Sequence, residues 1–269
     1  MQNIKITFNN IDEDNQHILI ARLSEIGFEG FEQMEESLFA YIHKEKFNDG
    51  ELQDAAGSLS YQTEAIAPQN WNEVWESNFE PVFIDDFCTI RADFHLLKVA
   101  TPYEIIITPK MSFGTGHHAT TQLMVGLMKD MDIKGKQVLD FGTGTGVLAI
   151  LAEKMGAYYV LGIDNDEWSI ENATENLKRN NCTKTTVLQV TDEHLPPLTH
   201  DIILANINRN ILLQYMAELY RDTKVGGTVL LSGLLIEDKD IIMQAAVNER
   251  FVFNEYRELN KWIAMSFKK

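Results

Sequence analysis

The densest run of residues able to do chemistry is Asp140-Phe141-Gly142-Thr143-Gly144-Thr145-Gly146. It follows the apolar pair Val138-Leu139 and precedes an apolar run that opens at Val147. Glycine lets the backbone turn sharply and lets a ligand lie against it, because no Cβ intervenes. The spacing departs from the dinucleotide fingerprint G-x-G-x-x-G: the third glycine comes one residue early, and Val147 holds its place. The phosphate cradle G-x-x-x-x-G-K-[ST] is absent as well. What remains is D-x-G-x-G-x-G, a loop that approaches a ligand without gripping a pyrophosphate. A glycine turn made for tight packing alone is the competing reading.

Three further segments stand in register with that loop. Asp164 ends the next apolar run, Gly162-Ile163-Asp164, twenty residues after Gly144. An acid at that distance can accept both hydroxyls of a ribose. Asp166 is the expected helix cap instead, since Glu167 opens the following helix. The stretch Met111-Ser112-Phe113-Gly114-Thr115-Gly116-His117-His118-Ala119-Thr120-Thr121 is rich in glycine and hydroxyls and leads into a helix. It can offer backbone N–H groups and hydroxyls to a carboxylate. Its two adjacent histidines raise the question of a metal, but neighbours rarely ligate one ion together and no acid or cysteine cluster accompanies them, so no metal is expected. Finally, Leu204-Ala205-Asn206-Ile207-Asn208 closes a strand. Ligands of open α/β sheets sit outside the carboxyl ends of strands, so Asn206 faces the same crevice as Gly142 and Asp164. A side-chain amide there can orient a neutral amine without competing for protons. A plain turn asparagine is the alternative.

The elements that must position these residues fall into two patterns. From about residue 117 onward, helices and apolar strands alternate: helices over 118–131, 147–155 and 167–179, and strands over 138–141, 159–163, 186–190, 202–205 and 228–231. That alternation predicts a doubly wound parallel α/β sheet. Two closing strands, 251–256 and 262–267, are predicted to form an antiparallel hairpin at one edge. Residues 1–67 differ. Ile4 to Phe8 alternates as a strand, Asp12 to Ile26 reads as a helix stopped by Gly27, and two strands flank Met34–Ser37. A short helix over 49–59 and a strand over 60–67 complete a β-α-β-β-α-β order, which predicts a small α+β ferredoxin-like domain. Pro68 breaks the pattern. Trp71, Trp75 and Phe79 then share one face of a predicted linker helix, and short strands follow up to residue 108.

Of the 269 residues, 45% are apolar and 23% charged, enough for one or two domains with sizeable cores and unlike collagen or a disordered chain. Lys and Arg number 23 against 40 Asp and Glu, a net charge of −17. Such a chain is ill suited to non-specific nucleic-acid binding and repels anionic membranes, but it attracts basic partners. Residues 1–67 carry thirteen acids against four bases, about half the net charge in a quarter of the chain. This is either a docking surface for something basic or a solvated acidic face. No apolar run approaches the roughly 18 residues of a membrane span, and Met1 to Lys5 does not begin a signal peptide. Cys88 and Cys182 stand in no metal or disulfide spacing, which suits a reducing cytoplasm.

Together these residues resemble the class I S-adenosylmethionine-dependent methyltransferases, whose fold is a mostly parallel seven-stranded sheet with an antiparallel last strand. Phe113-Gly114-Thr115-Gly116 with His118, Thr120 and Thr121, the Asn70-Trp71 pair, Asn206-Ile207 and the small leading domain narrow the resemblance to the ribosomal protein L11 methyltransferases, the PrmA family. It spans nearly the whole chain. His117 stands where a small residue such as Thr is common, Ala119 where Pro is common, and Asn206-Ile207 differs from the Asn-Pro-Pro-Tyr of many amine methylators. The resemblance implies S-adenosylmethionine contacts at Thr121, Gly142, Asp164 and Asn206, joined by Asp140, Gly144, Phe113, Gly114, Thr115 and His118. Asn206 is the candidate for positioning the amine on the strength of its side-chain amide. The resemblance divides the chain into a substrate-recognition domain (1–67), a linker helix with short strands (68–108) and a methyltransferase domain (109–269). The implied reaction is methylation of amines of a basic ribosomal protein in the cytoplasm; no direct contact to nucleic acid or membrane is expected, and a monomer is favoured while the oligomeric state is left open. Two rivals remain: a methyltransferase acting on RNA, another protein or a small molecule, and a non-catalytic S-adenosylmethionine-binding module. The acidic first domain argues against RNA, and the intact Asp140, Gly142, Gly144 and Asp164 argue against the module.

Overall fold

The computed structural model describes residues 3–28, 30–34, 36–66, 79–108, 114–190 and 199–269. Contacts divide the chain into two units, Met1–Asn78 and Phe79–Lys269. In the first, alternation of Ile4, Ile6 and Phe8 puts three apolar side chains on one face of β1 (Asn3–Asn9). They pack with Leu38, Ala40 and Ile42 of β3 (Ser37–His43), Leu19 and Leu23 of α1 (Glu13–Glu25) and Leu52 of α2 (Asp49–Ala56). Asp12 caps α1 by accepting from Asn15 N, and Asn48 caps α2. With β2 (Gly30–Met34) and β4 (Tyr61–Ile66), the four strands run antiparallel in the order β2-β3-β1-β4. This is the expected ferredoxin-like arrangement. The predicted linker helix lies outside the described residues, apart from Phe79.

The second unit begins with a three-stranded sheet of β5 (Val82–Ile84), β6 (Cys88–Ala92) and β7 (Tyr103–Ile107). The short strands expected here exist and belong to a core. Phe79, Ile90, Ile105 and Ile107 are buried in the same core as Leu123, Met124 and Met128 of α3 (Ala119–Lys129) and Leu151 of α4 (Val147–Lys154).

The main sheet comprises β8 (Gln137–Phe141), β9 (Tyr159–Asp164), β10 (Thr185–Gln189), β11 (His200–Asn206), β12 (Thr223–Leu235), β13 (Val252–Leu259) and β14 (Trp262–Lys268). Their order is β10-β9-β8-β11-β12-β14-β13. The first five are mutually parallel, and β14 runs antiparallel between β12 and β13. Both faces are buried, as parallel strands require. Val138, Val160, Ile202, Leu204 and Leu230 face one core, while Leu139, Leu161, Ile203, Ala205 and Leu231 face the other. The second core is covered by α6 (Arg209–Gln214), α7 (Met216–Asp222) and α8 (Lys239–Asn248), through Leu212, Leu219 and Ile242. On the first face, α3, α4 and α5 (Glu167–Arg179) pack instead. The closing hairpin turns at Asn260 and Lys261, both at positive φ (+51° and +67°), the conformation of a tight two-residue connection. Strand order reverses at β8, whose neighbours are β9 and β11. A crevice therefore opens beyond the carboxyl ends of those strands. Among the described residues, no helix is long and apolar enough to cross a membrane.

Candidate active site

The glycine loop is strapped to the end of the neighbouring strand. Gly142 N and Thr143 N both donate to Ile163 O, at 2.8 and 2.9 Å. Gly142, Gly144 and Gly146 have φ of +75°, +53° and +80°, which explains the alternating glycines. A Cβ on Gly142 would lie 2.3 Å from Ile207 Cγ2, and one on Gly233 would lie 2.2 Å from Ile207 O. The turn after Asn206 is thus seated between two glycines, one from β8's loop and one from β12.

Asp140 lies behind this loop, 1% exposed, rather than on the crevice wall. Its Oδ2 accepts from Thr143 Oγ1 at 2.7 Å and from Ala149 N at 3.2 Å, which tie loop and helix together. Burial pushes its pKa up to about 7, with nearby Asp164 adding to the effect and the two hydrogen bonds opposing it. Asp164 is half-buried at the crevice. Its Oδ2 accepts from Gly144 N at 2.9 Å and its Oδ1 from Asp166 N at 3.1 Å. Each oxygen keeps a further lone pair for a ligand hydroxyl. Asp166 caps α5 through Ser169 N, as expected.

Asn206 ends β11, 8% exposed. Its Nδ2 donates to Thr121 Oγ1 at 3.4 Å, and its Oδ1 is buried with no partner among the described residues. Thr121 is 1% exposed in the first turn of α3, so it reaches the crevice through Asn206. His118 caps the same helix: Nδ1 accepts from Thr120 N at 3.4 Å and lies 2.8 Å from Thr120 Oγ1. Burial lowers the imidazole pKa, and the ring is set edge-on to Trp262 with centroids 4.5 Å apart. Gly114 O accepts from Thr145 Oγ1 at 2.7 Å, and Thr115 Oγ1 lies 3.2 Å from His117 Nδ1. The other nitrogen of His117 bonds Glu80 O at 2.9 Å, and the ring packs edge-on against Phe79. Its role is structural. Phe113 lies outside the described residues. No group of three or more His, Cys, Asp or Glu among the described residues could hold a metal ion.

These elements enclose a cavity of about 620 Å³ whose wall includes His118, Gly142, Gly144, Asp164 and Asn206. The wall also includes residues the sequence reading missed: Phe141, Ile163, Asn165, Val190, Ile207, Tyr215 and Trp262. Several could have been found, because Ile163, Val190 and Ile207 adjoin strand ends. Trp262 could not. It begins an antiparallel strand, so its start lies where the parallel strands finish, opposite Leu235. A second cleft of about 410 Å³, including Lys136, Asp201 and Lys268, opens at the starts of the strands. There Lys224 pairs with Asp201 at 3.0 Å.

Comparison with known proteins completes the description. A family model described as ribosomal protein L11 methyltransferase (PrmA) matches residues 8–269. A Porphyromonas gingivalis protein named ribosomal protein L11 methyltransferase is 44% identical over 261 residues, covering 93% of this chain and 89% of that protein. One of the same name from Chlorobaculum tepidum is 38% identical over 255 residues, covering 90% of this chain and 88% of its own. The crystal structure of a ribosomal protein L11 methylase from Lactobacillus delbrueckii aligns with a TM-score of 0.63 at 28% identity, covering 71% of this chain and 99% of that one. A Pyrococcus furiosus methyltransferase shares the fold at a TM-score of 0.52 and 19% identity, covering 61% of this chain and 88% of that one.

Proposed function

The chain belongs to the ribosomal protein L11 methyltransferase (PrmA) family, and we propose that its cavity brings amino groups of ribosomal protein L11 to S-adenosylmethionine held by Gly142, Gly144, Asp164 and Asn206. It is an S-adenosylmethionine-dependent methyltransferase. The observation that carries the reading is the continuous family match over residues 8–269, which takes in both units. The residues present suit the cofactor. The cavity lies within the few hundred to one thousand Å³ usual for small-molecule sites. Asp164 has lone pairs for a ribose, and the buried Asn206 Oδ1 has no donor among the described residues. When bound, S-adenosylmethionine supplies a methyl on a cationic sulfur that departs as a neutral thioether.

The chain's own residues then have to bind, orient and desolvate. Asn206 Oδ1 accepts an amine N–H, which holds the nitrogen lone pair toward the methyl, a positioning effect. Thr121 supports Asn206 from behind. Phe141, Tyr215 and Trp262 give the cavity wall aromatic surface. Substrate recognition falls to the acidic residues 1–67, through attraction to a basic protein. The acceptors are lysine side chains or the N-terminal amine, the setting is the cytoplasm, and nucleic acid is not contacted. Incubating the chain with labelled S-adenosylmethionine and, separately, L11 and ribosomal RNA tests this. Label is expected in L11 alone, and label in RNA alone overturns the substrate assignment.

A further inference from the structure

Thr145 is held from two sides. Its Oγ1 donates to Gly114 O at 2.7 Å, and its carbonyl accepts from Asn176 Nδ2 at 2.8 Å. Asn176 is fully buried in α5. Its Oδ1 accepts from Thr108 N at 2.7 Å, just past the end of β7. One helical turn on, Asn180 Oδ1 accepts from Ile106 N at 2.9 Å and Asn180 Nδ2 donates to Ile106 O at 2.6 Å. Two residues along a strand advance about 6.6 Å and four along a helix about 6 Å, so two amides on one helix face match the strand edge. Contact with Gly114 is as close: a Cβ there would lie 2.8 Å from Thr145 Oγ1, and φ is +101°. A buried polar network of this kind fixes geometry where apolar packing would tolerate sliding.

We propose that Thr145 and Asn176 are positioning residues that set the register between the 114–121 segment and the glycine loop, so that both parts of the cofactor site are presented together. The proposal rests on the cofactor reading above.

The test is calorimetric titration of the full chain with S-adenosylmethionine, using Thr145→Val, Thr145→Ser, Gly114→Ala and Asp164→Ala. Thr145→Val keeps the shape and removes the donor. Its Kd is expected to rise about tenfold, while Thr145→Ser stays within about twofold of the parent; about 1.4 kcal/mol corresponds to a factor of ten. KM for S-adenosylmethionine should rise with kcat kept at saturation. Gly114→Ala disturbs the same contact from the other side, should weaken binding similarly, and decides the matter should Thr145→Val fail to fold. The double variant should bind no worse than the weaker single one, since both remove one contact. If Asp164→Ala weakens binding while Thr145→Val, or Gly114→Ala in its place, stays within twofold of the parent, the positioning role is overturned. Equal losses in Thr145→Ser and Thr145→Val overturn it too. Unchanged binding in Asp164→Ala overturns the underlying cofactor reading, and the proposal with it.

Discussion

Two aspartates show how position divides the work of like residues. Asp164 stands half-buried on the cavity wall, with both oxygens anchored by backbone N–H groups and lone pairs to spare. Hydrogen bonds to a charged group are worth about 1.5–3 kcal/mol, so Asp164→Ala is expected to weaken S-adenosylmethionine roughly tenfold to a hundredfold. An unchanged dissociation constant in calorimetry would remove the ribose role. Asp140 is buried behind the loop with its pKa pushed up to about 7. The folded state therefore holds its proton more tightly than the unfolded chain, whose aspartates titrate near about 3.9. Stability tied to the protonated form is complete below that value and is lost as pH climbs through about 7. In Asp140→Asn, the amide oxygen can accept from both Thr143 and Ala149 without a charge. Its melting temperature relative to the parent should rise between pH 5 and pH 8, by the equivalent of about 3 kcal/mol at most. A difference that stays flat with pH would mean Asp140 titrates like an exposed carboxylate.

Among the elements, the strand-loop-helix unit from β8 to α4 carries the site, and its glycines answer to measurable contacts. At Gly142 a side chain would have to occupy the space of Ile207, beside Asn206. Gly142→Val should abolish detectable cofactor binding while far-UV circular dichroism remains that of a folded α/β protein. Normal binding would show that Ile207 moves freely and that the loop is no more than a turn. This unit was legible in the sequence because periodicity, a strand-ending acid and glycine spacing agreed over residues 138–147. Asp164 and Asn206 were legible for the same reason, each closing an apolar strand. Other features left no local trace. β12 runs over Thr223–Leu235, far beyond the expected 228–231, because Gly226 and Gly227 read as a turn while the chain pairs irregularly from Thr223. The small sheet of β5, β6 and β7 was legible as short strands but its place in the core was not, since its burial depends on α3 and α4 rather than on its own pattern. Trp262 came to the cavity only through strand insertion, a property of topology. Thr121 was found by resemblance, yet its buried hydroxyl sits behind Asn206.

For the molecule as a whole, charge and chemistry are distributed unequally. Residues 1–67 hold nine of the seventeen net negative charges, whereas the residues argued to hold the cofactor all lie beyond 109. Among the described residues, the two cores of the second unit are built from Phe79 onward. A chain starting at Asn70 is therefore expected to bind S-adenosylmethionine with nearly unchanged affinity and to lose methylation of intact L11. The loss should fall on kcat/KM, because remote binding energy is what brings the amine to the methyl. Salt gives an independent check. Exposed charges are screened beyond about 8–10 Å at physiological ionic strength, so raising salt should lift the full chain's KM for L11 and leave its KM for S-adenosylmethionine in place. Full activity of the shortened chain toward L11 would move substrate recognition into the second unit. A shortened chain that folds but no longer binds the cofactor would make the first unit part of the cofactor site.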